Sequence, residues 1–357
     1  MRTMLFAVAL VALAHPEPAE ACRQECQPFY VPVSVSGVPD AKIYGELCLP
    51  AGGHPKTVQL LVHTTGANHY YWDPPAEANS YVKAALTAGY ATFNVDRFGT
   101  GLSTKPISTL VDITTIEDTL HQVIAQLRAG NIGSRAFQKV MWVGSSYGAA
   151  YGWVNATRHP GDIDGYIFTS IMHYTKPSFM ATLALPAIIP ACVDPVFSSL
   201  GLDCGYISTA LGSIGPVYFY EPTAAPGMLG SGGIYDTVIR DVVSLPLLGE
   251  SLAVLGGITL TVNGPVFTPM PVDTDFARGV NVPSLVVIGD RDNIFCGAPD
   301  GLACDEDSIQ AFEAPYYGHT PEVYVARESG HAFALQLSAQ ESFRAMLRWA
   351  RAHVSAR

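Results

Sequence analysis

The stretch KVMWVGSSYGAAYGWV, residues 139–154, places two adjacent serines between two glycines directly after a short apolar run. Residues 140–143 are apolar and partly β-branched, which favours a buried strand, and the apolar residues of 149–154 recur at helical spacing. Residues 144–148 match G-x-S-x-G in one register only, with Ser146 at the centre. Small residues two places before and after a serine on a tight turn let a strand and a helix approach closely. The stretch therefore predicts a strand, a tight turn that carries Ser146, and a helix.

Apolar segments of strand length recur along most of the chain. Helical patterns separate most of the later segments, at 80–88, at 114–129 and from about 338 to about 352. Strands that alternate with helices indicate the α/β class, with a mostly parallel sheet covered by helices on both faces. The eight predicted strands are 29–36, 42–49, 58–62, 91–95, 140–143, 166–168, 285–288 and 323–325.

The alternation lapses between residues 171 and 280, where the chain is rich in proline, glycine, leucine and alanine and carries few charges. A loop of that length without structure of its own is uncommon inside a compact domain. The segment 171–280 is therefore predicted to be an inserted helical cap on a core formed by 22–170 and 281–357. Most of its aromatic residues are expected to fill the core of the cap itself.

The composition and the N-terminus bear on partners and location. The chain has 357 residues, 48% of them hydrophobic, and a net charge of −11 without a basic cluster, which argues against nucleic acid as a partner. Residues 1–21 predict a signal peptide: Arg2 precedes an apolar run from Met4 to Ala14, and Ala19 and Ala21 provide small residues for cleavage. A second cleavage site is possible at residues 12–14. Eleven apolar residues are too few to span a bilayer, so the protein is predicted to be secreted, to the extracellular space or to the periplasm, without a stable membrane anchor.

Export makes the seven cysteines candidates for disulfide bonds. Two pairs are close in sequence and each can close a local loop, whereas the three N-terminal cysteines leave one thiol over. Among these three, Cys26–Cys48 is favoured over Cys22–Cys48, with Cys22 unpaired. No C-x-x-C pair occurs and no histidine lies at ligand spacing from the cysteines, so no metal site is predicted. The predicted bridges are Cys26–Cys48, Cys192–Cys204 and Cys296–Cys304.

A serine hydroxyl needs a base and an orienting acid to act as a nucleophile. Downstream of Ser146, LVVIGDRDNIFC (285–296) is a strand followed by two aspartates, and EVYVARESGHAFAL (322–335) is a strand followed by His331. Open α/β sheets place their sites at the carboxyl ends of strands, and the order serine, acid, histidine suits this topology. His331 is the predicted base. Asp292 is the predicted acid rather than Asp290, because its longer distance from the strand lets the chain turn toward the histidine.

LLVHTTGANHYYWD (60–73) contains the end of the predicted strand 58–62 and continues into a loop that can supply the donors that stabilise an oxyanion. The backbone N–H groups of Thr65 and Tyr147 are the predicted pair, and His63 is expected to hold the loop. His69, Tyr70 and Tyr71 are predicted to line the substrate pocket or to pack under the cap. The glycine-rich loop 96–103 does not match G-x-G-x-x-G, so no dinucleotide or other cofactor is predicted.

Taken together, these motifs resemble those of the α/β-hydrolase superfamily over nearly all of the chain after the signal peptide. The resemblance implies the α/β-hydrolase fold with an inserted cap. Thr64 stands where the family has a glycine after the oxyanion-loop histidine, and a backbone N–H survives this difference. The matching segments are 63–66 for the H-G-x loop, 96–103 for the D-x-x-G-x-G-x-S turn, 144–148 for the nucleophile elbow, 289–292 for the acid loop and 330–331 for the histidine loop.

The predicted function is a secreted serine hydrolase that cleaves a carboxylic ester or lactone of a small apolar or aromatic substrate. An exported aminopeptidase of the proline-iminopeptidase type is the first alternative, because it shares the fold and triad. It would need an acidic residue in the cap to bind the substrate ammonium. A non-catalytic ligand-binding protein on the same scaffold is the second alternative, and a complete triad argues against it. The acidic candidates in the cap are Asp194, Asp203, Glu221, Asp236, Asp241 and Glu250.

Overall fold

Eight strands form one sheet at the centre of the computed structural model, which describes residues 25–179, 187–230, 232–244, 258–261, 264–267 and 279–357. The predicted signal peptide, Cys22 and Glu250 lie outside these residues. Each predicted strand occurs, with ends shifted by a few residues. The strands are β1 (Glu25–Pro32), β2 (Lys42–Leu49), β3 (Thr57–Val62), β4 (Ala91–Val95), β5 (Lys139–Ser145), β6 (Gly165–Thr169), β7 (Ser284–Gly289) and β8 (Glu322–Ala326).

The strand order is β1-β2-β4-β3-β5-β6-β7-β8, with β1 and β2 antiparallel to their neighbours and all other pairs parallel. The inner strands β3, β4, β6 and β7 are buried along their whole length. Continuous apolar runs such as these are typical of parallel strands with both faces covered. The carboxyl ends of β3, β5, β7 and β8 therefore lie along one edge of the sheet, where the predicted site residues follow them.

Helices cover the sheet, and the last one shows how the sequence pattern sets the packing. In the C-terminal helix Phe343, Met346 and Ala350 are buried, whereas Arg344 and Arg348 are exposed. Apolar residues at this spacing form one stripe that packs against the core and leaves the charges in water. The principal helices of the core are α1 (Tyr81–Thr87), α2 (Ile113–Ala129), α3 (Tyr147–Arg158), α4 (Glu306–Glu313) and α5 (Ala339–His353). Among the described residues no helix is both long enough and apolar enough to cross a membrane.

The segment between β6 and β7 differs in character from the helical cap expected. Its described part combines short helical turns with a three-stranded antiparallel sheet, because prolines and glycines interrupt the helices. A fully buried ion pair joins Arg240 Nη1 to Asp194 Oδ2 at 2.6 Å and ties two parts of the segment together. Its described elements are the strands Ile188–Pro190, Tyr206–Thr209 and Val243–Ser244, the helical turns Pro177–Phe179, Ala191–Val193, Ser198–Leu200, Ile214–Tyr218, Glu221–Thr223 and Tyr235–Ile239, and the hairpin strands Ile258–Thr261 and Gly264–Phe267.

Three disulfide bonds join six cysteines. One bond links β1 to β2, where its two residues are paired directly across the antiparallel strands. The second closes a loop in the segment between β6 and β7, and the third closes a loop shortly after β7. The bonded pairs are Cys26–Cys48, Cys192–Cys204 and Cys296–Cys304.

Candidate active site

Ser146 occupies a strained turn between β5 and α3. Its backbone has φ 52° and ψ −120°, a region that residues with a side chain rarely adopt. A Cβ atom added to Gly144 would overlap the backbone of Gly148, and one added to Gly148 would overlap the carbonyl groups of Val62 and His63. The glycines are needed because strand, turn and helix approach this closely. The turn lifts Ser146 to the carboxyl edge of the sheet.

A buried histidine–aspartate pair lies at the same edge. His331, in the loop after β8, and Asp292, in the loop after β7, are 2% and 0% exposed. His331 Nδ1 lies 2.9 Å from Asp292 Oδ2, and we assign the imidazole proton to this hydrogen bond. His331 Nε2 is then the acceptor nitrogen, and it is buried without a hydrogen-bond partner among the described residues. His331 and Ser146 line the same cavity.

The two aspartates after β7 have different surroundings. The second oxygen of Asp292, Oδ1, accepts the backbone N–H of Ile294 at 2.9 Å, so both of its oxygens are used inside the protein. Asp290 is partly exposed, and its Oδ1 accepts the backbone N–H of Ser329 at 3.2 Å. Asp292, and not Asp290, therefore contacts the imidazole of His331.

Several contacts hold the loops that carry these residues. Ser170, at the end of β6, donates its hydroxyl to the carbonyl of His331 at 2.6 Å. The buried Lys176 donates its Nζ to the carbonyl of Cys296 and its backbone N–H to the carbonyl of Ile294, both at 2.9 Å. The Cys296–Cys304 disulfide closes the loop that follows Asp292. These restraints hold both loops to the core.

Thr65 and Tyr147 line the cavity beside Ser146. Thr65 follows β3, and Tyr147 is the first residue of α3. The N-terminus of a helix carries partial positive charge, which favours a negative group near Tyr147. The structure thus brings Ser146, His331, Thr65 and Tyr147 to one cavity, with Asp292 behind the histidine.

His63 is buried at the start of the loop that follows β3, the predicted oxyanion loop. Its Nδ1 lies 2.9 Å from the carbonyl oxygen of Thr64, and its Nε2 accepts the backbone N–H of Arg97 at 3.3 Å. Burial, reinforced by the nearby charge of Arg97, lowers the pKa of His63 well below its usual value. The imidazole is therefore neutral and holds the loop through hydrogen bonds.

None of the three predicted pocket residues is among the residues that line the described cavity. His69 Nδ1 lies 2.9 Å from Asp96 Oδ1; burial favours a lower pKa for His69, and this bond outweighs it and raises the pKa. Tyr70 is 39% exposed, and the centroid of its ring lies 4.2 Å from that of His69. Tyr71 is buried and accepts the hydroxyl of Ser145 at 3.0 Å. His69 and Tyr71 are thus held by contacts outside the cavity lining, and Tyr70 lies at the surface.

The cavity wall is mostly aliphatic and aromatic. Besides His331, its polar groups come from serine, threonine and tyrosine residues. Tyr218, from the segment between β6 and β7, lies with its ring 5.0 Å from the ring of His331, and burial raises its pKa. The place of Tyr218 in the cavity wall was not predicted, since no local sequence pattern distinguishes an aromatic residue in a cavity wall from one in a core. The apolar lining residues include Ile171, Phe179, Ile188, Ile207, Val217, Val243, Ile294 and Phe295.

Elsewhere, Glu117, Asp118 and His159 bring ligand atoms within 4.8 Å of one another on α2 and the end of α3. The guanidinium of Arg158 forms ion pairs with both acids, with Nε 3.1 Å from Glu117 Oε2 and Nη2 2.6 Å from Asp118 Oδ1. Arg158 therefore supplies a positive charge beside both acids of this cluster.

Solved structures with the same architecture include several esterases and a lipase. The chain resembles carboxylesterase CesB from Bacillus subtilis (14% identity, TM-score 0.56, covering 92% of this chain and 93% of that one). It also resembles a soluble variant of monoglyceride lipase from Saccharomyces cerevisiae (17% identity, TM-score 0.57, covering 96% and 99%). A thermophilic esterase from Thermogutta terrifontis is similar at 14% identity and a TM-score of 0.53, covering 92% and 100%. At these identities the likeness establishes the fold.

The amino-acid sequence supports the same fold independently of the solved structures. No curated protein sequence matches the chain at a significant level. The model of the Alpha/beta hydrolase family matches residues 59–345, which include the elbow, the acid loop and the histidine loop. On this match and on the fold, the chain belongs to the α/β-hydrolase family.

Proposed function

We propose that the protein is a secreted serine hydrolase that cleaves carboxylic esters or lactones. The observation that carries the proposal is the buried Asp292–His331 hydrogen bond, which leaves Nε2 of His331 without a hydrogen-bond partner among the described residues, in the cavity that Ser146 lines. A base with a vacant acceptor atom beside a serine on a strained turn is the arrangement that nucleophilic catalysis needs.

The reaction proceeds in two halves. His331 Nε2 takes the proton of the Ser146 hydroxyl while Oγ attacks the ester carbonyl, and the imidazolium then gives that proton to the departing alcohol. Water repeats the sequence on the acyl-enzyme and releases the acid. Asp292 keeps the imidazole in the required tautomer and stabilises the imidazolium, and the N–H groups of Thr65 and Tyr147 stabilise the negative oxygen of each tetrahedral intermediate.

The cavity supports an apolar or aromatic substrate. Its wall is formed largely by residues such as Ile207, Val217 and Phe295, which favour burial of hydrocarbon. Carboxylesterases and a lipase among the structural neighbours agree with an ester as the substrate.

The described cavity has no acidic lining residue of the kind that an aminopeptidase needs to bind the substrate ammonium. None of the described acidic candidates lines this cavity, and four of them are used in other hydrogen bonds. Asp194 pairs with Arg240, and Asp241 accepts the backbone N–H of Gly101 at 2.9 Å. An ammonium group would therefore find no carboxylate among the described lining residues, which favours esters over aminoacyl substrates.

Secretion is part of the proposal. It is supported by the apolar N-terminal sequence and by three disulfide bonds, which persist in oxidising compartments. N-terminal sequencing of protein recovered from the culture medium tests it, with a mature N-terminus at Cys22 as the expected result.

The test of activity uses p-nitrophenyl esters of increasing acyl length against aminoacyl p-nitroanilides, together with fluorophosphonate labelling. We expect ester turnover, with a label on Ser146 that excludes a purely ligand-binding protein. Ser146→Ala should lose about 10⁴- to 10⁶-fold in kcat while its melting temperature is retained. Ser145→Ala is the matched control, because its hydroxyl faces Tyr71 rather than the cavity. Full turnover by folded Ser146→Ala would refute the mechanism.

A further inference from the structure

Arg97 is a buried cation without an anionic partner among the described residues. Its side chain is fully buried between the oxyanion loop and α3, where Nη1 donates to the hydroxyl of Tyr151 at 3.0 Å and Nη2 donates to the carbonyl of Thr64 at 3.1 Å. Its Nε is buried and has no hydrogen-bond partner in the part of the chain that the structure describes. No carboxylate in the described part of the chain lies within ion-pair distance of it. Burial of an unpaired guanidinium is costly, so its place next to the loop requires a compensating role.

The carbonyl that Arg97 contacts belongs to the peptide unit of the predicted oxyanion donor. The C=O of Thr64 and the N–H of Thr65 form one planar trans peptide, in which the two groups point in opposite directions. This carbonyl has two donors, Arg97 Nη2 and His63 Nδ1, the latter at 2.9 Å. The pair fixes the peptide plane and directs the N–H of Thr65 away from the buried side. Thr65 lines the cavity together with Ser146.

The two donors differ in charge. Burial and the charge of Arg97 lower the pKa of His63, so the imidazole is neutral and Arg97 is the cation of this pair. The charge of Arg97 also extends to the cavity wall: burial raises the pKa of Tyr218, and Arg97 acts in the opposite direction on it. A charged donor on a carbonyl polarises the whole peptide and makes its N–H a stronger donor.

We propose that Arg97 is a positioning residue for the oxyanion hole, which orients and polarises the Thr64–Thr65 peptide and adds a buried positive charge behind it. The inference rests on the proposed function and deepens it. Arg97 is not among the residues that line the cavity, so it should strengthen binding of the oxyanion without changing binding of the neutral substrate. This predicts an effect on kcat and not on KM.

The experiment compares Arg97→Met with Arg97→Lys. Methionine removes both the charge and the hydrogen-bond donors, whereas lysine retains a charged donor on a shorter side chain. Each variant is assayed for kcat and KM, for melting temperature, and for inhibition by an alkyl trifluoromethyl ketone and by the matching alkyl amide. The ketone forms an oxyanion with Ser146, whereas the amide remains planar and neutral. Tyr151→Phe is the matched control, since it removes the other partner of the guanidinium and leaves the contact with Thr64 in place.

We expect Arg97→Met to lower kcat by about 10- to 100-fold with KM changed less than about twofold, somewhat less than loss of a direct oxyanion donor. The Ki of the ketone should rise by the same factor while the Ki of the amide stays unchanged. Arg97→Lys should recover part of the loss, and Tyr151→Phe should lose melting temperature without this selectivity. A folded Arg97→Met with the kcat of the wild type, or with equal losses for ketone and amide, would overturn the inference.

A second comparison applies if Arg97→Met does not fold. Arg97→Gln retains a neutral donor, so its kcat and its affinity for the ketone should be lower than those of Arg97→Lys, and the reverse order overturns the inference. Wild-type turnover separates the two proposals. An inactive wild type refutes the proposed function and this inference together, whereas an active wild type whose rate is indifferent to Arg97 refutes the inference alone.

Discussion

Replacement of each of the two aspartates after β7 by asparagine tests which one serves His331. Asp292→Asn removes the carboxylate that accepts the Nδ1 proton of His331 across 2.9 Å in a fully buried site. The carboxamide can present its NH₂ group instead, which favours the wrong imidazole tautomer and leaves Nε2 protonated. Loss of this orienting acid in a serine triad costs about 10⁴ in kcat, or about 5.5 kcal/mol of transition-state stabilisation.

Asp290→Asn should be mild in comparison. The side chain of Asp290 is 26% exposed and accepts one backbone N–H, from Ser329 at 3.2 Å. The carboxamide oxygen of asparagine can still accept that bond, so we expect a loss in kcat of less than about tenfold and in stability of about 1 kcal/mol or less.

The assay is kcat and KM of both variants on one p-nitrophenyl ester, with melting temperatures to establish that both are folded. We expect kcat of Asp290→Asn to exceed that of Asp292→Asn by about 10³-fold or more. Equal losses, or a larger loss for Asp290→Asn, would contradict the assignment of Asp292 and the reading of the hydrogen bond as catalytic.

Two further predictions concern stability. Replacing Cys296 and Cys304 together by serine should lower the free energy of unfolding by about 2.5 kcal/mol, from the sequence separation of 8, and lower kcat/KM about tenfold by loosening the acid loop. The control is replacement of Cys26 and Cys48 by serine. Their sequence separation of 22 predicts a larger loss of about 3.4 kcal/mol in the free energy of unfolding, without loss of activity. Similar activity in the two double variants would refute the conclusion that the Cys296–Cys304 bond holds the acid loop in place. Burial raises the pKa of Glu117 from 4.5 to about 7, so its contribution to stability is present below pH 4.5 and is lost as the pH rises through about 7. Relative to Glu117→Gln, the wild type should therefore lose about 3 kcal/mol between pH 4 and pH 8 in urea unfolding, and a pH-independent difference would contradict this.

His69 and Tyr71 show what decides the direction of a buried polar side chain. They follow the predicted oxyanion loop in sequence, and proximity along the chain allows either a place in the cavity or packing under the cap. In the structure His69 forms a hydrogen bond with Asp96, and Tyr71 forms one with Ser145. Sequence spacing sets where the backbone passes, whereas the partner available in the core decides which way a polar side chain turns.

The sequence by itself determined the parts of this protein that local rules govern. The short valine-rich runs predict strands, the glycines around Ser146 permit the tight turn, and residues after parallel strands meet at one edge of the sheet, which brings Asp292 to His331. Tertiary structure alone decided the rest, because it depends on contacts between distant segments. The mixed structure of the segment between β6 and β7, the place of Tyr218 beside His331, and the isolation of Arg97 behind Thr64 arise from packing across more than thirty positions of sequence, where no periodicity or motif constrains the outcome.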